Sequence, residues 1–185
     1  MTKKGLLVLV LVIMVTGGVF AQNWYDSYAP GIDDSILFIN GGVGVGPSGI
    51  YSRGIPPISL SVDVKLPIPL PITVGVMGIM STWRYSPYLF SYAVTYRNIG
   101  IAARGMYHFN FARNLDVYAG LTLGYAFQTA TVSGSYYGST YSGSPFFLYG
   151  GKVGVRYFFT SFLGVYAEAG YSGLQYANGG LTLKF

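Results

Sequence analysis

The sequence predicts an all-β fold, an eight-stranded antiparallel up-and-down transmembrane β-barrel. Apolar and polar residues alternate in short runs between Leu37 and Phe185, and a period of two residues is typical of a strand with one apolar and one polar face. Charged residues form only 9% of the chain, compared with about 25% of a soluble domain. Charges within these runs fall on the polar face, as expected when the apolar face contacts lipid and the polar face lines an interior.

The clearest strand runs from Ile58 to Leu66 and has the sequence ISLSVDVKL. Its even-numbered residues are all apolar, and its odd-numbered residues, which include Asp63 and Lys65, are all polar. The same alternation predicts further strands at about 35–46, 72–81, 99–109, 115–128, 147–158 and 163–171, and an eighth strand that ends at Phe185. A bulge is expected near Arg97 and Asn98, because the apolar positions change from even to odd there. Such a bulge would place Arg97 in or near a loop.

The predicted connections alternate in length. Three are short, at 67–71, 110–114 and 159–162, and four are longer, at 47–57, 82–98, 129–145 and 172–180. Short turns at one end and longer loops at the other are typical of transmembrane barrels, in which the turns are periplasmic and the loops extracellular.

Aromatic residues cluster at the ends of the predicted strands, which predicts girdles at the two membrane interfaces. One predicted girdle consists of Tyr107, Phe109, Phe111, Tyr157, Phe158, Phe159 and Phe162, and the other of Tyr125, Phe127, Phe147 and Tyr149. The alternative is that these are ordinary strand aromatics, which are common in sheets.

The first 21 residues form a separate unit. Lys3 and Lys4 precede an apolar stretch, and small residues end at Ala21, so we expect a secretory signal peptide at 1–21, a lead at 22–34 and the barrel at 35–185. The alternative for the first segment is an N-terminal membrane anchor. Without Lys3 and Lys4 the chain has 9 basic and 6 acidic residues, an excess too small to predict nucleic-acid binding.

The C-terminal segment GGLTLKF resembles the closing strand of bacterial outer-membrane barrels, which ends in an aromatic residue preceded by alternating apolar residues. Leu181, Leu183 and Phe185 fit this pattern, although a Tyr often occupies the position of Leu183. The resemblance implies that these residues are the signal for the barrel-assembly machinery, and the architecture is similar to the small OmpX, OmpW and OmpA-barrel type. It also implies a bacterial outer-membrane location and a monomer.

The predicted interior contains both signs of charge. Its residues are Asp63, Lys65, Arg104, His108, Asp116, Lys152, Arg156, Glu168 and Lys184. We expect Asp116 opposite His108 and Glu168 opposite Lys152, within reach of an ion pair. The interior is then either a plug of salt bridges or, as the alternative, a narrow pore for small solutes that favours anions.

The chain is not expected to be an enzyme or to hold a cofactor. It has no Cys and one His, too few ligands for a typical zinc site. His108 with Asp116 suggests part of a catalytic triad, but no serine is evident beside them. The alternative role is that of a paired interior histidine.

Two predicted loops are rich in aromatic residues. The candidate contacts with an extracellular ligand are Trp83, Arg84, Tyr85, Tyr88, Tyr136, Tyr137 and Tyr141. Loops of Tyr, Ser and Gly are typical of recognition surfaces. The alternative is a rim that rests on lipid headgroups. We therefore predict a structural or adhesin-like surface role, with outer-membrane lipid as the surrounding partner.

Overall fold

The computed structural model describes residues 35–46, 54–86, 92–112, 114–134 and 137–185. These ranges contain nine strands: β1 (Leu37–Val45), β2 (Ile58–Lys65), β3 (Ile72–Tyr85), β4 (Tyr92–Ala112), β5 (Leu115–Gly134), β6 (Tyr137–Ser142), β7 (Phe146–Phe158), β8 (Leu163–Gly170) and β9 (Ala177–Lys184). The predicted signal peptide and lead lie outside the described residues. In the part of the chain that is described, no helix is long and apolar enough to cross a membrane.

The strands close into an antiparallel barrel. Neighbours follow the order β4, β3, β2, β1, β9, β8, β7, β5, and β5 pairs again with β4. The short β6 pairs with β5 from Thr129 onwards, just beyond the segment of β5 that pairs with β7. β6 and β7 are therefore two parts of one wall strand, and the wall has eight strands. This confirms the predicted fold class, in which closure gives every wall strand two hydrogen-bonded neighbours.

Two hairpins are longer than expected. β3 and β4 continue to Tyr85 and Tyr92, and β5 and β6 continue to Gly134 and Tyr137. The predictions of long loops at 82–98 and 129–145 were therefore wrong, because most of these residues are in strands. These segments are rich in Ser, Gly and Tyr, but their backbones still form the hydrogen bonds of paired strands.

The predicted bulge near Arg97 was also wrong. The pairing of β4 with both neighbours is regular through Arg97 and Asn98, and its irregularity lies between Asn110 and Ala112. The apolar positions change parity because Tyr96 is on the inward face, where its ring stacks on Trp83 with centroids 4.0 Å apart.

The two ends of the barrel differ. We call the end with the short connections after β2, β4 and β7 the turn end, and the opposite end the loop end. Exposed aromatics occur near both: Tyr125, Phe127, Phe147 and Tyr149 near the loop end, and Phe111, Tyr157, Phe159 and Phe162 near the turn end.

Phe158 is a correction to the predicted girdle. Its side chain is fully buried inside the barrel, where its ring lies 6.4 Å from that of Phe38. Its neighbours Tyr157 and Phe159 face outward, so the alternation of the strand itself turns Phe158 inward.

Candidate functional site

The interior is built around six charged side chains, which we call the ion network. The network consists of Asp63, Arg104, Asp116, Lys152, Arg156 and Glu168. Each of these residues is at most 4% exposed. The network contains three carboxylates and three cations, so their formal charges balance.

Arg156 joins two of the carboxylates. Its Nη2 donates to Asp63 Oδ2 at 3.0 Å, and its Nη1 donates to Asp116 Oδ2 at 3.2 Å. The guanidinium carbon lies 4.3 Å from the ring centroid of Tyr118 and 4.9 Å from that of Phe38. The planar cation is therefore held by ion pairs at its edge and by aromatic rings on its faces.

The Glu168 carboxylate accepts hydrogen bonds from three side chains. Its Oε1 accepts from Arg104 Nη2 at 2.6 Å and from the Tyr118 hydroxyl at 2.9 Å, while its Oε2 accepts from Lys152 Nζ at 3.0 Å. Arg104 also pairs with Asp63 at 3.1 Å, so the network is continuous across the barrel.

The predicted partners meet, but in a different register. Lys152 is opposite Gly170 and Glu168 is opposite Gly154, so the two side chains approach each other diagonally. His108 is likewise opposite Tyr118, although its Nδ1 lies 2.9 Å from Asp116 Oδ1. The expected direct oppositions were wrong because each turn is centred one residue later in the chain than those oppositions require, which moves each cross-strand partner by two residues.

His108 also contacts a residue that the sequence analysis missed. The hydroxyl of Thr73 lies 2.9 Å from His108 Nε2, which completes a series of hydroxyl, imidazole and carboxylate. Thr73, His108 and Asp116 are at most 1% exposed, and Asp116 is shared with Arg156. These contacts orient and enclose the imidazole. The inward register of β3 could have indicated Thr73, because its cross-strand partner Met106 lies two residues before His108 and makes Thr73 and His108 diagonal neighbours.

Asn40 is a second residue that the sequence did not single out. Its Nδ2 donates to Ser61 Oγ and to Asp63 Oδ2, each at 2.9 Å, and its Oδ1 accepts from the Thr182 hydroxyl at 2.8 Å. The amide satisfies an oxygen of Asp63 and connects β9, β1 and β2 inside the barrel.

Apolar side chains lie on both sides of the ion network. Phe38 and Phe158 pack towards the turn end, and Ile79, Ala126, Leu148 and Leu174 pack towards the loop end. Leu174 belongs to the connection between β8 and β9 and is only 6% exposed, so this connection folds inward. The described interior is therefore polar at the ion network and apolar on both sides of it. The recess beside Lys152, Glu168 and Gln175 has no room for a water molecule.

Two of the predicted interior charges are less enclosed. Lys65 and Lys184 are half-buried at the turn end, and Lys184 Nζ lies 4.4 Å from the ring centroid of Phe158. Among the described residues, no group of His, Cys, Asp and Glu is arranged to bind a metal ion.

The proposed assembly residues lie on the closing strand. Leu181 and Phe185 are exposed on the outer surface, and Leu183 is half-buried. β9 pairs with β1 on one side and β8 on the other, and the Phe185 amide donates to Leu37 O at 2.9 Å. The end of the chain thus closes the barrel against its first strand.

The candidate ligand contacts are on strands where the structure describes them. Trp83, Arg84 and Tyr85 lie on β3, and Tyr137 and Tyr141 lie on β6, so their assignment to loops was wrong. Tyr85 and Tyr141 are exposed, whereas Trp83 is half-buried against Tyr96. Tyr88 and Tyr136 lie outside the described residues.

Comparisons with known proteins identify the fold. The sequence matches no protein-family profile and no curated protein sequence. The structure is similar to Neisserial surface protein A, at 14% identity and a TM-score of 0.51, over 80% of this chain and 91% of that chain. It also matches Ail, the attachment invasion locus protein of Yersinia pestis, in complex with the heparin analogue sucrose octasulfate, at 14% identity and a TM-score of 0.48, over 81% and 94% of the two chains. The chain therefore has the fold of a small eight-stranded outer-membrane barrel.

Proposed function

We propose that the chain is a non-conducting outer-membrane barrel with a structural or surface-interaction role. The observation that carries the proposal is the packing of the described interior, in which the ion network lies between two apolar layers and Arg156 is fully buried. An eight-stranded barrel is just wide enough for side chains to fill. Salt bridges within such an interior hold the wall strands together rather than attract a passing solute.

The proposal places the turn end in the periplasm and the loop end outside the cell. β4 has 21 residues. At about 3.4 Å per residue and a tilt of about 40°, it rises about 55 Å, roughly twice the apolar band of about 25 Å. The hairpins β3–β4 and β5–β6 would therefore extend well beyond the membrane at the loop end.

These hairpins are the proposed contact surface. Tyr85 and Tyr141 are 56% and 62% exposed, and the stack of Trp83 on Tyr96 stiffens the first hairpin. Tyrosine supplies a large amphipathic contact at a small entropic cost, and a surface that is rigid before binding loses less entropy on binding.

Adhesion of cells that display the protein tests this role. The probes are immobilised laminin, fibronectin and collagen, with an albumin-coated surface as the blank. We expect adhesion to at least one of these probes, and at least about a tenfold loss for the double variant Tyr85→Ala, Tyr141→Ala. The matched control is Tyr157→Ala, which removes a tyrosine that is 52% exposed at the turn end and should leave adhesion unchanged. Adhesion no greater than that of cells without the protein would contradict the proposal.

A further inference from the structure

Two arginines lie on the outward face of the hairpin β3–β4. Arg97 shares the outward register of Ile99 and Ile101, which are 51% and 62% exposed, and Arg97 is exposed as well. Arg84 is exposed on β3, two residues beyond Thr82, which is the cross-strand partner of Arg97. Diagonal neighbours on one face of a sheet lie about 7–8 Å apart, so the two guanidinium groups can reach a common anion.

The two arginines have no carboxylate partner in the described part of the chain. The sequence has 6 acidic residues, and the three that are described, Asp63, Asp116 and Glu168, all belong to the ion network. Within the described ranges, the outward face of the barrel therefore presents these two cations without a compensating negative charge.

The height of Arg97 matches a membrane interface. Ten residues of β4 separate it from Tyr107 in the girdle at the turn end. This distance is about 34 Å along the strand, which corresponds to a rise of about 26 Å at a tilt of about 40°, close to the full apolar band of about 25 Å. An arginine on the lipid face is costly at the middle of the membrane but nearly free at its edge.

Apolar side chains surround the base of this basic pair. Ile99 pairs with Met80 on β3 and with Phe127 on β5, and all three are exposed. The outward surface therefore changes, within about two residues along the strands, from apolar contacts suited to acyl chains to paired guanidinium groups suited to phosphate.

We propose that Arg84 and Arg97 bind the phosphate of a phosphorylated glycolipid headgroup in the outer leaflet, while Ile99, Met80 and Phe127 contact its acyl chains. Charge complementarity and the position at the edge of the apolar band favour a membrane lipid over a free anion, because the apolar contacts lie directly beneath the cations. The site is on the outer wall and does not involve the interior; it shares the hairpin β3–β4 with the proposed contact surface and rests on the proposed orientation, in which the loop end faces outside the cell.

The test uses the refolded protein in phosphatidylcholine nanodiscs that contain either bisphosphorylated lipid A or the same lipid without its phosphates. Native mass spectrometry measures the lipid retained by the protein. We expect preferential retention of the phosphorylated lipid, and about 30-fold weaker binding to the double variant Arg84→Gln, Arg97→Gln, at roughly fivefold per arginine near a charged surface. The variant Arg84→Lys, Arg97→Lys keeps both charges and should retain most of the binding.

The matched control removes two positive charges from the opposite end, in the variant Lys65→Gln, Lys184→Gln. We expect its lipid retention to equal that of the parent protein. Equal losses in both glutamine variants, or equal retention of the lipid with and without phosphate, would overturn the proposal. A second arm measures binding of inorganic phosphate in detergent, and an affinity equal to that for lipid A would overturn the assignment to a lipid.

Discussion

Replacing Glu168 with Gln tests how strongly the ion network holds the barrel together. The carboxylate accepts from Arg104 at 2.6 Å, Tyr118 at 2.9 Å and Lys152 at 3.0 Å, and its side chain is only 1% exposed. The amide oxygen of Gln can keep the first two contacts. Its NH₂ group then faces the Lys152 ammonium, whose other described contact is Met77 Sδ at 3.7 Å. One buried positive charge is left without a counterion.

Removing one partner of a buried ion pair costs about 3–5 kcal/mol. We therefore expect Glu168→Gln to lower the free energy of unfolding by that amount, measured by urea titration in detergent micelles with circular dichroism. The double variant Glu168→Gln, Lys152→Met removes the unpaired charge as well, so it should be more stable than Glu168→Gln alone.

Two results would refute this reasoning. A loss of less than about 1 kcal/mol is typical of an exposed ion pair and would mean that water screens these charges. A double variant that is no more stable than Glu168→Gln would mean that the unpaired lysine is not the cause of the loss.

Three further predictions concern assembly, packing and closure. Phe185→Ser should lower the outer-membrane yield but not export across the inner membrane, as measured by cell fractionation, and normal insertion would contradict the role of the terminal residue. Gly154→Ala should destabilise the barrel by about 1–3 kcal/mol, because a Cβ there meets the ring of Tyr118, whereas Gly105→Ala has open space and should be neutral in the same urea titration. The unheated protein should migrate differently in SDS gels from the boiled protein, because a closed barrel pairs its backbone groups internally, and identical mobility would argue against closure.

The fold and the inward position of the charged side chains could be predicted, because both depend on the local alternation of apolar and polar residues. A period of two residues determines which face each residue occupies, and this placed Asp63, Arg104 and Glu168 on one side of the wall without knowledge of the strand order. Lipid on the outer face then requires the charges to point inward.

The contacts within the interior could not be predicted, because they join residues far apart in the chain. Arg156 and Asp63 are 93 positions apart, and Asn40 and Thr182 are 142 positions apart. Their pairing depends on the position of every turn between them, and an error of one residue at a turn centre moves each partner by two. Phe158 is a different case, because its hydrophobicity favoured the girdle although the local alternation of its strand turns it inward.

The lengths of the hairpins β3–β4 and β5–β6 also could not be predicted from the sequence pattern. β5 continues to Gly134 although its last two residues, Ser133 and Gly134, are typical of turns, and its pairing with β6 is regular to Tyr137. Ladder hydrogen bonds with a neighbouring strand outweigh the weak strand preference of such residues, and that preference is itself dependent on context.

The central claim is that the barrel does not conduct, and electrical recording from the purified protein in a planar lipid bilayer tests it most directly. We expect no stepwise current in concentrated potassium chloride, either for the parent protein or for Glu168→Gln, because the aromatic and aliphatic layers beside the ion network remain in place. Reproducible single-channel steps in the parent, with an anion preference that rises in Glu168→Gln, would contradict the account and favour a narrow pore.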